Sequence, residues 1–195
     1  MTRTGPHQSR LPSSNLRTRT IFLVGFMGAG KTSVGEHLSR LLGRRFHDLD
    51  VRIETREGRT VGQIFRESGE GAFRCAETEA LTELLQEVAS APAVAALGGG
   101  AFARNENRAL LQNSGALVIF LDAPVEELWR RSQGEKKERP LMQDPQQFRQ
   151  LYEERRSFYE IAELCIDTGA KDVAAVAEEI ALQLELNHDS QGEVL

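Results

Sequence analysis

The sequence is poor in cysteine and in long apolar runs, and its first nineteen residues contain no acid. Cys75 and Cys165 stand far apart without a CxxC pair, which gives no basis for a disulfide framework or a structural zinc site and makes a reducing cytoplasm the expected compartment. The longest clean apolar run, residues 116–121, is too short to span a bilayer, so no membrane partner is expected. Neither an internal repeat nor a low-complexity block is present. What remains suits a single globular domain: 195 residues, 40% hydrophobic and 27% charged.

Charge is spread unevenly. Residues 1–19 carry Arg3, Arg10, Arg17 and Arg19; the whole chain is −5, so removing those four positive charges leaves −9 on the remainder. An acidic body argues against nucleic acid as a partner, because affinity for phosphate backbones follows accumulated positive charge. Arg, Ser and Thr without acids resemble a transit peptide. Pro6, Pro12 and the lack of an apolar stripe favour a disordered basic tail over residues 1–19 instead.

From residue 20 the pattern is that of an α/β protein. Residues 20–24 form an apolar run stopped by Gly25, the signature of a buried strand, and strand-like runs recur at 45–48, 93–97, 116–121 and 164–167. Helical periodicity follows each of them. Residues 31–42 place Val34, Leu38, Leu41 and Leu42 on one stripe ahead of Gly43, short helical pieces surround Gly58, and 73–88 reads as a longer helix after a Gly-Glu-Gly break at 69–71. Strands alternating with helices favour a parallel sheet of about five strands covered on both faces, a three-layer α/β/α domain over residues 20–186. Residues 132–143 are polar, carry Gly134 and Pro140, and read as a mobile lid; a final helix over 173–186 is followed by a polar tail at 187–195.

Residues 25–32, GFMGAGKT, match GxxxxGK[ST] between a predicted strand and a predicted helix, the context that a phosphate-binding loop requires. Glycines at 25, 28 and 30 let backbone N–H groups turn inward over Gly28, Ala29, Gly30 and Ser33, and the helix contributes its positive end to a bound triphosphate. Lys31 is placed to reach the β and γ phosphates and the Thr32 hydroxyl to coordinate Mg²⁺. The spacing GxxGxG excludes the GxGxxG dinucleotide loop. ATP is thereby expected as the phosphoryl donor, while the acceptor has to come from other residues.

Asp48 and Asp50 lie just beyond the second strand, where extended backbone would point both carboxylates the same way. One can serve the metal's water shell and the other can orient or deprotonate an attacking hydroxyl; an Asx turn capping a helix over 51–55 is the simpler account of Asp48. Arg74 falls in the first turn of a helix, where a cation opposes the dipole unless an anion lies beside it. Gly98, Gly99 and Gly100 follow the third strand and let backbone approach a small ligand. Arg155 adds a second guanidinium, with Arg156 next to it as the alternative. An aspartate, two arginines and a glycine platform describe a pocket for a small compound bearing a carboxylate and hydroxyls. In the lid, Arg139 beside Pro140 can stabilise charge on a transferring phosphoryl group, and Arg131 can lie against the nucleotide base.

Six motifs, GFMGAGKT, DLD, GEGAFR, LGGG, RPLM and RRSFY, stand in the order and approximate spacing of the shikimate kinase family, which the chain resembles from about residue 20 to 168. The resemblance implies the P-loop kinase fold with a lid and a helical substrate-binding region. It also implies MgATP-dependent phosphorylation of the shikimate 3-hydroxyl, in the route to chorismate and aromatic amino acids, with one Mg²⁺ per subunit. It assigns Asp50 to the acceptor diol and as candidate base, Arg74 and Arg155 to the carboxylate, and Gly98 to Gly100 to the platform. Glu77 steadies Arg74 and touches substrate, Arg139 is the catalytic lid arginine, Arg131 stacks on adenine, Lys31 and Thr32 contact phosphate and metal, and Asp48 lies near the metal through water. A monomer is expected. The rival expectations are a related kinase, such as a gluconate kinase, which need not share GGG or the paired arginines, and a non-catalytic ligand-binding module of the same fold, which should lack Lys31, Asp50 or Arg139.

Overall fold

The computed structural model describes residues 16–134 and 144–189. Five strands form one parallel sheet in the order β2-β3-β1-β4-β5: β1 Ile21–Val24, β2 Phe46–Asp48, β3 Val94–Ala96, β4 Leu117–Asp122 and β5 Leu164–Asp167. All four β1 residues are 1% exposed or less. Successive side chains on a strand point to opposite faces, so full burial of β1 means that both faces are covered, as parallel crossovers require. Register is set by pairs such as Leu23 with Ala96 on one side and Leu23 with Ile119 on the other.

Seven helices connect the strands among the described residues: α1 Lys31–Leu41, α2 Leu49–Glu57, α3 Val61–Glu87, α4 Asn105–Asn113, α5 Val125–Gln133, α6 Pro145–Tyr159 and α7 Val173–Asp189. None is long and apolar enough to cross a membrane. α1 ends as expected, with Gly43 left-handed at φ 63° just beyond it. Its stripe is narrower than the periodicity suggested, since Leu41 is 48% exposed.

Three other expectations change. The break at 69–71 reduces to Gly69, at φ 80° and ψ 172°, so two helices abut within α3 rather than being parted by a loop. Thr60 opens this pair with a capping box to Gln63, which satisfies the first free N–H groups. Asp50 lies in the first turn of α2 and not in extended chain, so the alternation argument for a shared face with Asp48 does not hold. At the ends, α7 runs past residue 186 to Asp189, and the fold begins before residue 20. Leu16 is buried in a 3-10 turn, and Arg19 clamps Glu163 at 2.7 Å while donating to the carbonyls of Gly115 and Ala116. The rest of the expected tail, residues 135–143 of the lid, and residues 190–195 lie outside the described residues.

Candidate active site

The loop after β1 turns sharply enough to demand glycine. Gly25, Gly28 and Gly30 have φ of 145°, 78° and 83°, and a Cβ on Gly25 would lie 2.6 Å from the Leu121 carbonyl oxygen. Gly30 caps α1 without a side-chain hydrogen bond, and the first turn contains no acid. The helix thus presents open N–H groups and its positive end, the condition for holding an anion. Lys31 Nζ folds over this loop, donating to the carbonyls of Gly25 at 2.9 Å and Phe26 at 3.0 Å. Ala29 is buried, while Thr32 and Ser33 are exposed. Phe26 anchors the loop from beneath: fully buried, it meets Phe148 edge-on at 4.9 Å and Tyr152 at 5.5 Å, both on α6.

Asp48 does two jobs at once. Its Oδ1 accepts from the backbone N–H groups of Asp50 and Val51, the helix-capping role, while its Oδ2 accepts from Thr32 Oγ1 at 2.8 Å. The cap fixes the rotamer that brings a carboxylate oxygen to the P-loop hydroxyl.

The three glycines at 98–100 each give way to a different side chain. A Cβ on Gly98 would lie 2.6 Å from Asp50 Oδ1 and 3.5 Å from Glu77 Oε1. One on Gly99 would meet Arg155 Nη1 at 3.6 Å, Tyr159 Oη at 3.7 Å and the Gly25 carbonyl oxygen at 3.8 Å. One on Gly100 would lie 2.6 Å from both Nη atoms of Arg74. None of the three is left-handed, so close approach rather than backbone conformation opposes side chains at Gly98 and Gly100, while Gly99 meets its neighbours at ordinary contact distance. The platform therefore gathers Asp50, Glu77, Arg155 and Arg74 from α2, α3 and α6, and its middle residue abuts the phosphate loop.

Charge in this cluster is balanced with care for burial. Arg74 donates to Glu77 at 3.0 Å and to Glu70 at 3.0 Å. The anion expected beside it is thus supplied in part by the chain itself. Burial works against the Arg74 charge, but Glu77 and Glu70 together hold its pKa above the usual arginine value. Glu77 is 1% exposed; burial pushes its carboxyl up, Arg74 pulls it back, and neighbouring Asp50 raises it again, leaving it above the ordinary range. Arg155 Nη1 and Tyr159 Oη both stand within 3.7 Å of where a Cβ on Gly99 would lie, and the guanidinium pulls the phenol's pKa down against burial. Arg156 points elsewhere, to Asp122 Oδ2 at 3.0 Å and Glu160 at 3.1 Å, so the platform takes Arg155.

Arg131 is held apart from the platform. It donates to Glu127 at 2.7 Å and to the Thr168 carbonyl at 2.8 Å, on the turn after β5. Arg139 lies outside the described residues. Sequence reasoning missed Tyr159, Phe26 and Thr168 as parts of the site. The spacing of four between Arg155 and Tyr159, which puts both on one face of a helix, was the available signal for the first.

A parallel sheet with its phosphate loop after the central strand, and a glycine platform beside that loop, define the P-loop kinase fold. The chain matches the shikimate kinase family model over residues 27–185. It belongs to the shikimate kinase family. It is 42% identical to a shikimate kinase from Burkholderia lata over 183 residues, 92% of this chain and 94% of that one. It superimposes on a shikimate kinase from Acinetobacter baumannii in complex with shikimate with a TM-score of 0.75 at 40% identity, covering 87% of this chain and 94% of that one. A gluconokinase from Sinorhizobium meliloti, at 18% identity and a TM-score of 0.57 over 89% of this chain and 95% of that one, shares the fold alone.

Proposed function

We propose that the chain transfers the γ-phosphoryl group of ATP to the 3-hydroxyl of shikimate, giving shikimate 3-phosphate and ADP. The observation that carries this reading is the glycine platform: Arg74 and Arg155 supply two cations for a carboxylate, Asp50 supplies an acceptor for hydroxyls, and Gly99 joins them to the phosphate loop at Gly25. A pocket with that inventory suits a small hydroxy acid and has little to offer a nucleobase.

In the reaction, the acceptor oxygen forms a bond to the γ-phosphorus as the bond from that phosphorus to the ADP oxygen breaks. The hydroxyl proton passes to Asp50 or is held by it as it leaves. Lys31 exchanges its loop carbonyls for β- and γ-phosphate oxygens, and Arg139 in the lid offsets charge as the transfer proceeds. Gly28, Ala29, Gly30 and Ser33 line the phosphates, Arg131 lies against the adenine, and Glu77 holds Arg74. Thr32 and Asp48, a hydroxyl and a carboxylate in contact at 2.8 Å, are hard oxygen donors that suit Mg²⁺, an ion that takes its remaining ligands from phosphates and water. When bound, it neutralises charge on the β and γ phosphates. A cytoplasmic monomer with one Mg²⁺ per subunit completes the reading; Cys75 and Cys165, both free, agree with a reducing compartment.

A coupled ADP-release assay with shikimate, quinate and gluconate as separate acceptors tests it. Turnover with shikimate alone, or far above the others, is expected. Preference for gluconate would assign a different kinase, and no release with any acceptor would leave only a binding module.

A further inference from the structure

Tyr159 ends α6 one helical turn beyond Arg155 and is 0% exposed. Its ring stacks on Phe120 of β4 at 5.3 Å and 29°, so the sheet sets the plane of the phenol. Its hydroxyl donates to the Gly99 carbonyl oxygen, and Arg155 Nη1 lies on the same side, 3.6 Å from where a Cβ on Gly99 would stand against 3.7 Å for the phenol oxygen. A phenol has one proton to give and lone pairs to accept with, so with its O–H committed to Gly99 the Tyr159 oxygen faces the neighbouring guanidinium as an acceptor. Burial first, against the opposing pull of Arg155, pushes this phenol up to about 12, and it keeps its proton at neutral pH.

The contrast with neighbouring arginines gives this arrangement a purpose. Arg74 is held by two carboxylates, and Arg156 by Asp122 and Glu160. The partner four residues on from Arg156 is an acid; the partner four residues on from Arg155 is a neutral phenol. A carboxylate would orient the guanidinium and cancel its charge together, whereas a phenol orients it and leaves the charge for a ligand.

Resting on the phosphotransfer reading above, we propose that Tyr159 is a positioning residue for the acceptor: its neutral hydroxyl aims Arg155 at the carboxylate of shikimate, keeps that arginine's charge available, and pins Gly99 beneath it.

Tyr159→Phe removes one oxygen and keeps the ring stack. Steady-state kinetics of this variant should show KM for shikimate raised about tenfold, with kcat and KM for ATP within about twofold of the parent chain. In an Arg155→Ala background the same substitution should add less than about twofold, because the phenol acts through the arginine. An unchanged KM for shikimate in the single variant, or an equal rise in both backgrounds, overturns the proposal. A second readout leaves Tyr159 in place: with fluorotyrosine incorporated and resonances assigned against Tyr152→Phe, the signal of residue 159 should shift on adding shikimate. A signal indifferent to shikimate also overturns it. Turnover of the parent chain with shikimate is the control on the reaction itself. Its absence refutes the phosphotransfer reading, and turnover with an unmoved KM in Tyr159→Phe refutes the role of the phenol alone.

Discussion

Asp50 and Gly98 compete for one volume: the Asp50 Oδ1 lies 2.6 Å from where a Cβ on Gly98 would stand. The obstacle is the end of a side chain and not backbone, so a methyl group at 98 can be accommodated by moving the carboxylate. Gly98→Ala should therefore fold with a thermal midpoint within a few degrees of the parent, yet lose activity about a hundredfold or more, because the loss is one of position. Gly99→Ala, where the nearest atom is 3.6 Å away, should keep far more activity. Parallel melting curves and kcat/KM for the two variants check this.

Asp50→Asn should lower kcat by about two orders of magnitude or more while changing ATP affinity little, the signature of a group that handles the acceptor's proton. Single-turnover kinetics with a fluorescent nucleotide displacement assay separate the two. A near-normal kcat would remove Asp50 from that role.

Arg74→Ala should weaken shikimate binding by about 2 kcal/mol, the scale of a lost hydrogen bond to a charged group. Calorimetric titration reads it directly, and nucleotide affinity should be unaffected.

The same substitution has a pH-dependent cost in stability. Glu77 already titrates above its ordinary value, so the folded state binds more protons than the unfolded state and stability falls as pH rises through that interval. Removing Arg74 removes the attraction that restrains this shift. Urea unfolding should find the variant's deficit relative to the parent larger at pH 7 than at pH 5. A deficit independent of pH would mean that Glu77 is not left charged and unpartnered.

Phe148→Ala should destabilise the fold by about 3–5 kcal/mol, because it empties the space between Phe26 and Trp129 under the phosphate loop. Urea denaturation with an unchanged slope checks the effect, and KM for ATP should rise with it as the loop loosens.

The phosphate loop and the strands were legible because each is written in contiguous residues: a glycine spacing, or an apolar run ended by glycine. The residues proposed for the acceptor were legible as residue types through three successive glycines, whereas the dipole argument for Arg74 loosens, because the helix resumes directly after Gly69 and Arg74 lies beyond its first turn. Pairings across the fold were not. Periodicity could not say that Gly98 makes room for Asp50 and Gly100 for Arg74, nor that Phe26 rests on Phe148, because those contacts join elements far apart in the chain. The extended backbone expected through Asp50, just beyond the second strand, gives way to a helix that starts at Leu49, capped by Asp48, which leaves no room for alternation to continue. Arg155 and Arg156 part across the fold, the first beside Gly99 and Tyr159 and the second toward Asp122 and Glu160, a separation that adjacency in sequence does not show.

The most direct test of the account is the identity of the product. Incubated with ATP, Mg²⁺ and shikimate, the chain should yield ADP and one phosphomonoester in equal amounts, with phosphorus–proton correlation spectra coupling the new phosphate to the proton on carbon 3. A phosphate on another hydroxyl, or ADP accompanied only by inorganic phosphate, would contradict it.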